Sequence, residues 1–182
     1  MKVISKNKHT SLFATLMILL LVSPIIDDEA TGAVLLPALF SLVLIACTLV
    51  VDKSRHQTLI VLSFAVPWAY LTWLHPSLSD YPVANIANFI LVTCTIYVAL
   101  ILLIGISSTE KVSRDIIFGA ITVYLMVGIA WTIVYALIEN FRPSSFDLGA
   151  TENGLIWNRL IYFSFSIITT LGYGVGIPFN FS

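Results

Sequence analysis

Four uninterrupted apolar segments constrain the fold of this chain more than any other feature of its sequence. They cover residues 31–51, 58–74, 83–106 and 116–138, and none contains an Asp, Glu, Lys, Arg or His. The hydrocarbon core of a bilayer is about 30 Å thick and requires roughly 17 to 25 apolar residues in a helix. Hydrophobic residues make up 58% of the chain, charged residues 10%, and the mean hydropathy is +0.97. The sequence therefore predicts an all-α integral membrane protein.

A fifth apolar segment, residues 11–26, is marginal at 16 residues and admits two interpretations. Three lysines precede it, which suits either a short spanning helix or a signal peptide. Signal peptides carry small residues just before their cleavage site. Acidic residues occupy positions 27–29 instead, so we favour a retained helix.

Basic residues are unevenly divided between the two sides that five spans would create. With a cytoplasmic N-terminus, seven lysines and arginines fall inside and two fall outside. Cytoplasmic loops collect Lys and Arg, so we expect a multi-pass protein of the cell inner (plasma) membrane in this orientation. The inner residues are Lys2, Lys6, Lys8, Lys53, Arg55, Lys111 and Arg114, and the outer residues are Arg142 and Arg159.

The last apolar segment is too short to span a membrane. After a polar stretch at 139–158, which predicts an extracellular loop, residues 159–169 would form a helix of about 16 Å. A glycine-bearing run, Thr-Thr-Leu-Gly-Tyr-Gly, occupies 169–174. Non-helical backbone is tolerated at membrane depth only when it is buried in protein or lines a water-filled cavity. The segment therefore has the form of a re-entrant pore helix and loop, which implies a pore or an oligomer.

The run at 169–174 resembles the selectivity filter of potassium channels. Residues 160–174, with the sequence Leu-Ile-Tyr-Phe-Ser-Phe-Ser-Ile-Ile-Thr-Thr-Leu-Gly-Tyr-Gly, are similar to the pore helix and filter of bacterial two-helix-type potassium channel domains, and residues 116–138 resemble their outer helix. The similarity covers about the last third of the chain. It implies a potassium-selective ion channel subunit that carries potassium through a filter formed by a tetramer.

The residues of this run suit ion coordination by backbone oxygens. Rings of carbonyls from four chains can replace the hydration shell of potassium, and glycine reaches positive φ at little cost. Gly172 and Gly174 alternate with Leu171 and Tyr173, whose side chains would pack behind the filter, and Thr170 would add a hydroxyl. These five residues are the predicted potassium ligands. The C-terminal end of the preceding helix, about half a negative charge, would favour a cation.

Two departures from the family pattern affect this interpretation. Val175 stands where the family usually has an aspartate, and residues 175–182 are too short to form the inner helix that follows the filter in the family. We expect a truncated pore, arising from a natural short form, a frameshift or a fragment. The alternative is a non-conducting membrane protein that assembles with or scaffolds full-length channel subunits.

We divide the chain into a four-helix region at 1–108 and a partial pore domain at 109–182.

The absence of charge from the predicted spans argues against voltage sensors and proton-coupled transporters. A voltage sensor needs several arginines along one helix, and 83–106 has none, so we expect no steep voltage gating. Proton-coupled transporters carry ionisable groups at membrane depth. A small transporter with an accidental Gly-Tyr-Gly remains a third interpretation.

The sequence contains no motif for catalysis, nucleotide binding or metal binding. It contains no Gly-rich phosphate loop, no metal-ligand spacing and no serine elbow, so we expect no enzyme activity and no cofactor besides the permeant potassium ion. A net charge of -1 without a basic cluster predicts no nucleic-acid partner. The expected partners are the lipid bilayer and either a homotetramer or full-length channel subunits.

Overall fold

Helices account for nearly all of the structure that can be described for this chain. The computed structural model describes residues 8–26, 28–51, 55–73, 81–108, 113–143, 145–147, 156–172 and 177–178. Within these ranges a short 3-10 turn, Ser23–Ile25, and two paired strands, β1 (Phe146–Asp147) and β2 (Ile177–Pro178), accompany six helices. The helices are α1 (Lys8–Val22), α2 (Glu29–Val51), α3 (Arg55–Trp73), α4 (Tyr81–Ser107), α5 (Arg114–Phe141) and α6 (Ile156–Ile168).

Three helical segments are long and apolar enough to cross a membrane. They are Ala30–Val51, Val83–Ser107 and Arg114–Phe141, and two shorter apolar helices cover His9–Ile25 and Ile156–Ile168. The all-α class and the presence of helices able to span a bilayer are thus confirmed. The count of five spans stays a prediction.

Helix α5 is the centre of the bundle, because α4, α1 and α6 all pack against it. Apolar side chains fill these contacts at helical spacing. On α1, Leu12, Leu16 and Leu19 are all almost completely buried, and Phe13 packs against Phe118 of α5 with ring centroids 5.2 Å apart. Both cysteines are buried free thiols. The division of the chain at residue 108 stays a prediction, although α5 contacts helices from both sides of it.

Two polar contacts define the directions of the helices around α5. The Asn140 Nδ2 atom donates to Asn85 Oδ1 at 3.0 Å, joining the end of α5 to the start of α4. At the other end, the backbone N–H and the hydroxyl of Thr10 donate to Asp115 Oδ1 at 3.2 and 3.1 Å, which joins the starts of α1 and α5. Helix α1 therefore runs parallel to α5, and α4 runs antiparallel to it.

Candidate functional site

The short helix α6 lies against the middle of α5. Helix α6 contacts α5 at Gly128, which is about 20 Å from each end of α5 at 1.5 Å per residue. The Ser164 hydroxyl donates to the Gly128 carbonyl oxygen at 2.7 Å, and the Thr132 hydroxyl donates to the same oxygen at 3.0 Å. A helix that begins near the C-terminal end of α5 therefore reaches the midpoint of a membrane-length helix.

Gly128 permits this close approach because it has no side chain. A Cβ atom at this position would overlap the ring of Phe165. Ser164 is completely buried, and the hydrogen bond to Gly128 satisfies its hydroxyl. The sequence interpretation did not single out either residue, although small residues inside apolar helices are a known signal of helix contact in membranes.

An aromatic cluster fixes α6 to α5 on the side nearer the C-terminal end of α5. The ring of Phe163 lies 5.0 Å from Tyr135 and 5.4 Å from Phe146, and Tyr135 lies 5.4 Å from Phe146. Tilted and edge-to-face pairs at these separations are favourable for aromatic rings. Strand β1, which contains Phe146, is thereby held beside both helices.

Helix α6 ends in a left-handed turn at Thr170. The N–H of Leu171 donates to the Ser166 carbonyl at 3.1 Å, and the N–H of Thr170 donates to the Ile167 carbonyl at 2.9 Å. This pair of bonds is a Schellman motif, in which the residue after the C-cap adopts positive φ and is usually glycine. Here it is Thr170, with φ of 59°, a conformation uncommon for a β-branched residue.

The sign of φ alternates from Thr170 to Gly172, just after the end of α6. Thr170 and Gly172 have φ of 59° and 53°, whereas Leu171 between them does not have positive φ. The N–H groups of all three residues donate back into the last turns of α6, to the carbonyls of Ile167 and Ser166. Gly172 adopts the positive φ that glycine reaches at little cost, and its role in a filter stays a prediction.

Only part of the predicted filter can be placed. Thr170, Leu171 and Gly172 follow α6 after Thr169 and are exposed on the single chain, with Leu171 58% exposed. Tyr173 and Gly174, together with Val175, lie outside the described residues. In the described part of the chain no cluster of His, Cys, Asp and Glu could hold a metal ion. The oxygens that the described part of this segment offers to an ion are neutral backbone carbonyls and the Thr170 hydroxyl.

The chain returns to the C-terminal end of α5 after this segment. Ile177 and Pro178 pair antiparallel with Asp147 and Phe146 respectively, only a few residues beyond the end of α5. Glu139 in the last turn of α5 accepts hydrogen bonds from the N–H groups of Ser145 and Phe146 at 3.1 and 3.3 Å. The start of α6 and strand β2 thus lie at the same end of the bundle.

Comparison with known proteins identifies no relative of this chain. No family model, no curated protein and no solved structure matches it.

Proposed function

We propose that this chain is a subunit of a potassium-selective ion channel, in which residues 170–174 of four subunits form the filter. The observation that carries the proposal is the alternating backbone from Thr170 to Gly172 at the end of a short helix. Rings of backbone carbonyl oxygens from four chains can replace the hydration shell of a potassium ion. The resemblance of residues 160–174 to potassium channel pores supports the same assignment.

The location of α6 supports cation binding. The C-terminal end of a helix carries about half a negative charge, and α6 directs this end just past Gly128, the midpoint of α5. If α5 crosses the bilayer, that point lies near mid-depth, where little water competes for the charge. A permeant cation is favoured there, and no further cofactor or enzyme activity is proposed.

Assembly with other subunits is supported by exposed backbone in the same segment. Residues 169–172 are exposed on the single chain, and polar backbone at membrane depth cannot face lipid without a large cost. Other protein chains and a water-filled pore would cover it. A homotetramer meets this requirement, and so does assembly with longer channel subunits.

The proposed membrane arrangement has five spans and a cytoplasmic N-terminus in the plasma membrane. Helix α3 contains 19 residues and rises about 28 Å, which is close to the thickness of the hydrocarbon core. The C-terminal end of α5 is then extracellular, and α6 enters the membrane from outside. The excess of Lys and Arg on the other side of the predicted spans supports this orientation.

An ion flux assay tests the proposal. Purified protein in liposomes should pass potassium or rubidium far faster than sodium. Gly172→Ala should reduce the selective flux at least tenfold, because left-handed backbone costs a residue with a side chain roughly 1–2 kcal/mol. Gly105→Ala is the matched control, since its added Cβ atom meets nothing within 4 Å, and its flux should equal that of the wild type.

Equal leak of potassium and sodium, or selective flux that survives Gly172→Ala unchanged, would contradict the channel assignment. Absence of flux from this chain alone, together with co-purification of a longer channel subunit, would support the non-conducting alternative.

A further inference from the structure

The start of α6 is attached to a part of the chain more than 100 residues away. Asn158 uses both ends of its side-chain amide for this attachment. The Ser23 hydroxyl donates to Asn158 Oδ1 at 2.6 Å, and Asn158 Nδ2 donates to the Ile26 carbonyl oxygen at 3.2 Å. Ser23 is completely buried. Both partners belong to the turn that connects α1 to α2.

An aromatic contact beside Asn158 strengthens the same attachment. The ring of Trp157 meets that of Phe40 on α2 edge-on, with centroids 5.3 Å apart. Phe40 in turn meets the buried ring of Trp68 on α3, with centroids 6.4 Å apart. The first turn of α6 therefore packs against the unit formed by α1, the turn and α2, which we call the N-terminal hairpin.

Helix α6 is consequently held at two separate places along its length. The N-terminal hairpin holds its first turn through Trp157 and Asn158, and α5 holds its second half at Gly128. The N–H groups of Leu171 and Gly172 donate to the Ser166 carbonyl at 3.1 and 3.4 Å. The backbone of the candidate filter is thus hydrogen-bonded directly to the last turns of α6, so a tilt of α6 would move it.

We propose that Asn158 is a positioning residue for the ion filter, and that the N-terminal hairpin is the support on which it acts. By fixing the outer end of α6, Asn158 sets the angle at which the helix delivers Thr170, Leu171 and Gly172 to the pore. This inference rests on the proposed channel function. It assigns to the first two helices a direct part in selectivity.

The test compares two variants, each of which removes one asparagine side chain that makes hydrogen bonds to another part of the bundle. Asn158→Leu deletes the contact to the hairpin. Asn85→Leu deletes the hydrogen bond that Asn85, on α4 at the same end of the bundle, accepts from Asn140. The ratio of potassium to sodium permeability is measured in liposomes. Hydrogen exchange is followed at the Thr169, Thr170 and Leu171 amides, all hydrogen-bonded within the end of α6.

Asn158→Leu should lower the permeability ratio and accelerate exchange at these amides, each by about tenfold, the scale expected for two lost hydrogen bonds. Asn85→Leu should lower thermal stability without changing either quantity. Ser23→Ala removes only one of the two bonds and should give a smaller change in the same direction, which covers the case that Asn158→Leu fails to fold.

Equal permeability ratios and equal exchange at residues 169–171 in the Asn158 and Asn85 variants would overturn the proposal. If the wild type passes no selective current, the channel assignment fails. The exchange comparison still decides whether Asn158 positions the end of α6, so the two failures can be distinguished.

Discussion

At the scale of single residues, Gly128 determines how closely α6 approaches α5. Its carbonyl oxygen accepts hydrogen bonds from Ser164 and Thr132, and the ring of Phe165 occupies the space that a side chain would need. At the end of α6, Thr170 adopts the positive φ that glycine usually supplies at a helix C-terminus. Strained backbone of this kind persists where the surrounding structure imposes it and is frequent at functional sites.

Gly128→Ala should separate α6 from α5. The added methyl group would overlap the Phe165 ring, and overpacking of this kind typically costs about 1–3 kcal/mol. We expect a corresponding loss of unfolding free energy in detergent, measured by denaturant titration. Gly105→Ala should show no loss, because its Cβ atom is unobstructed and alanine favours a helix. The double variant Gly128→Ala/Phe165→Leu should recover most of the stability, and a double variant no better than Gly128→Ala would contradict this explanation.

At the scale of helices, α2 begins with a cap that depends on pH. The Asp28 Oδ2 atom accepts a hydrogen bond from the N–H of Thr31 at 2.8 Å, the usual arrangement of an N-cap. The backbone N–H of Thr31, and then its hydroxyl, hold the pKa of the Asp28 carboxyl below its ordinary value of 3.8. The cap is thus present at neutral pH in its charged form.

Acid should weaken this cap in a defined direction. Because the pKa of Asp28 is lower in the folded protein, its contribution to stability is fully present above the ordinary carboxyl pKa and is lost as pH falls through the folded pKa. Thermal unfolding measured between about pH 5 and pH 2 should therefore show a smaller pH dependence in Asp28→Asn, which keeps an acceptor oxygen but cannot titrate. An unchanged pH dependence in that variant would show that the cap does not contribute.

The positions of the helices could largely be predicted from the sequence, because length and freedom from charge determine them. Helix α5 is expected at 116–138 and observed at Arg114–Phe141, and α6 is expected at 159–169 and observed at Ile156–Ile168. The roles of Asn158 and Ser164 could not be predicted, since each depends on a partner distant in sequence. Two of the three residues added at the start of α6, Trp157 and Asn158, contact the N-terminal hairpin, which local sequence does not reveal.

The backbone conformation of Gly172 could be anticipated for the opposite reason, because the conformational freedom of glycine is a local property. The spacing of glycines in Thr-Thr-Leu-Gly-Tyr-Gly indicates positive φ, and Gly172 adopts it. The positive φ of Thr170 was not expected, because threonine disfavours left-handed backbone. It follows from the Schellman hydrogen bonds to Ser166 and Ile167, which sequence spacing alone does not reveal.

At the scale of the whole molecule, the bundle connects its two ends through α1. Asp115 holds the start of α1 by two hydrogen bonds from Thr10, and His9 Nε2 lies 3.8 Å from the other carboxylate oxygen of Asp115. The turn that follows α1 holds Asn158 at the opposite end. One helix and the turn after it therefore link the start of α5 to the start of α6.

The exposed end of α6 predicts an assembly of several chains. Leu171 is 58% exposed on the single chain beside exposed backbone, whereas a tetrameric pore would place this segment among neighbouring subunits. We expect native mass spectrometry in mild detergent to give four times the chain mass of 20.1 kDa. Leu171→Trp should reduce this species at least tenfold, because a larger side chain does not fit a packed interface.

Ile104→Trp is the matched control for this experiment. Ile104 is 64% exposed on α4, at the opposite end of that helix from the Asn85 contact, and a tryptophan there can remain in contact with lipid. The tetramer should persist in this variant. A monomer in the wild type, or equal loss of the tetramer in both variants, would contradict an interface at the end of α6. Loss confined to Leu171→Trp would place subunit contact beside the proposed ion filter, where the exposed backbone needs protein to cover it.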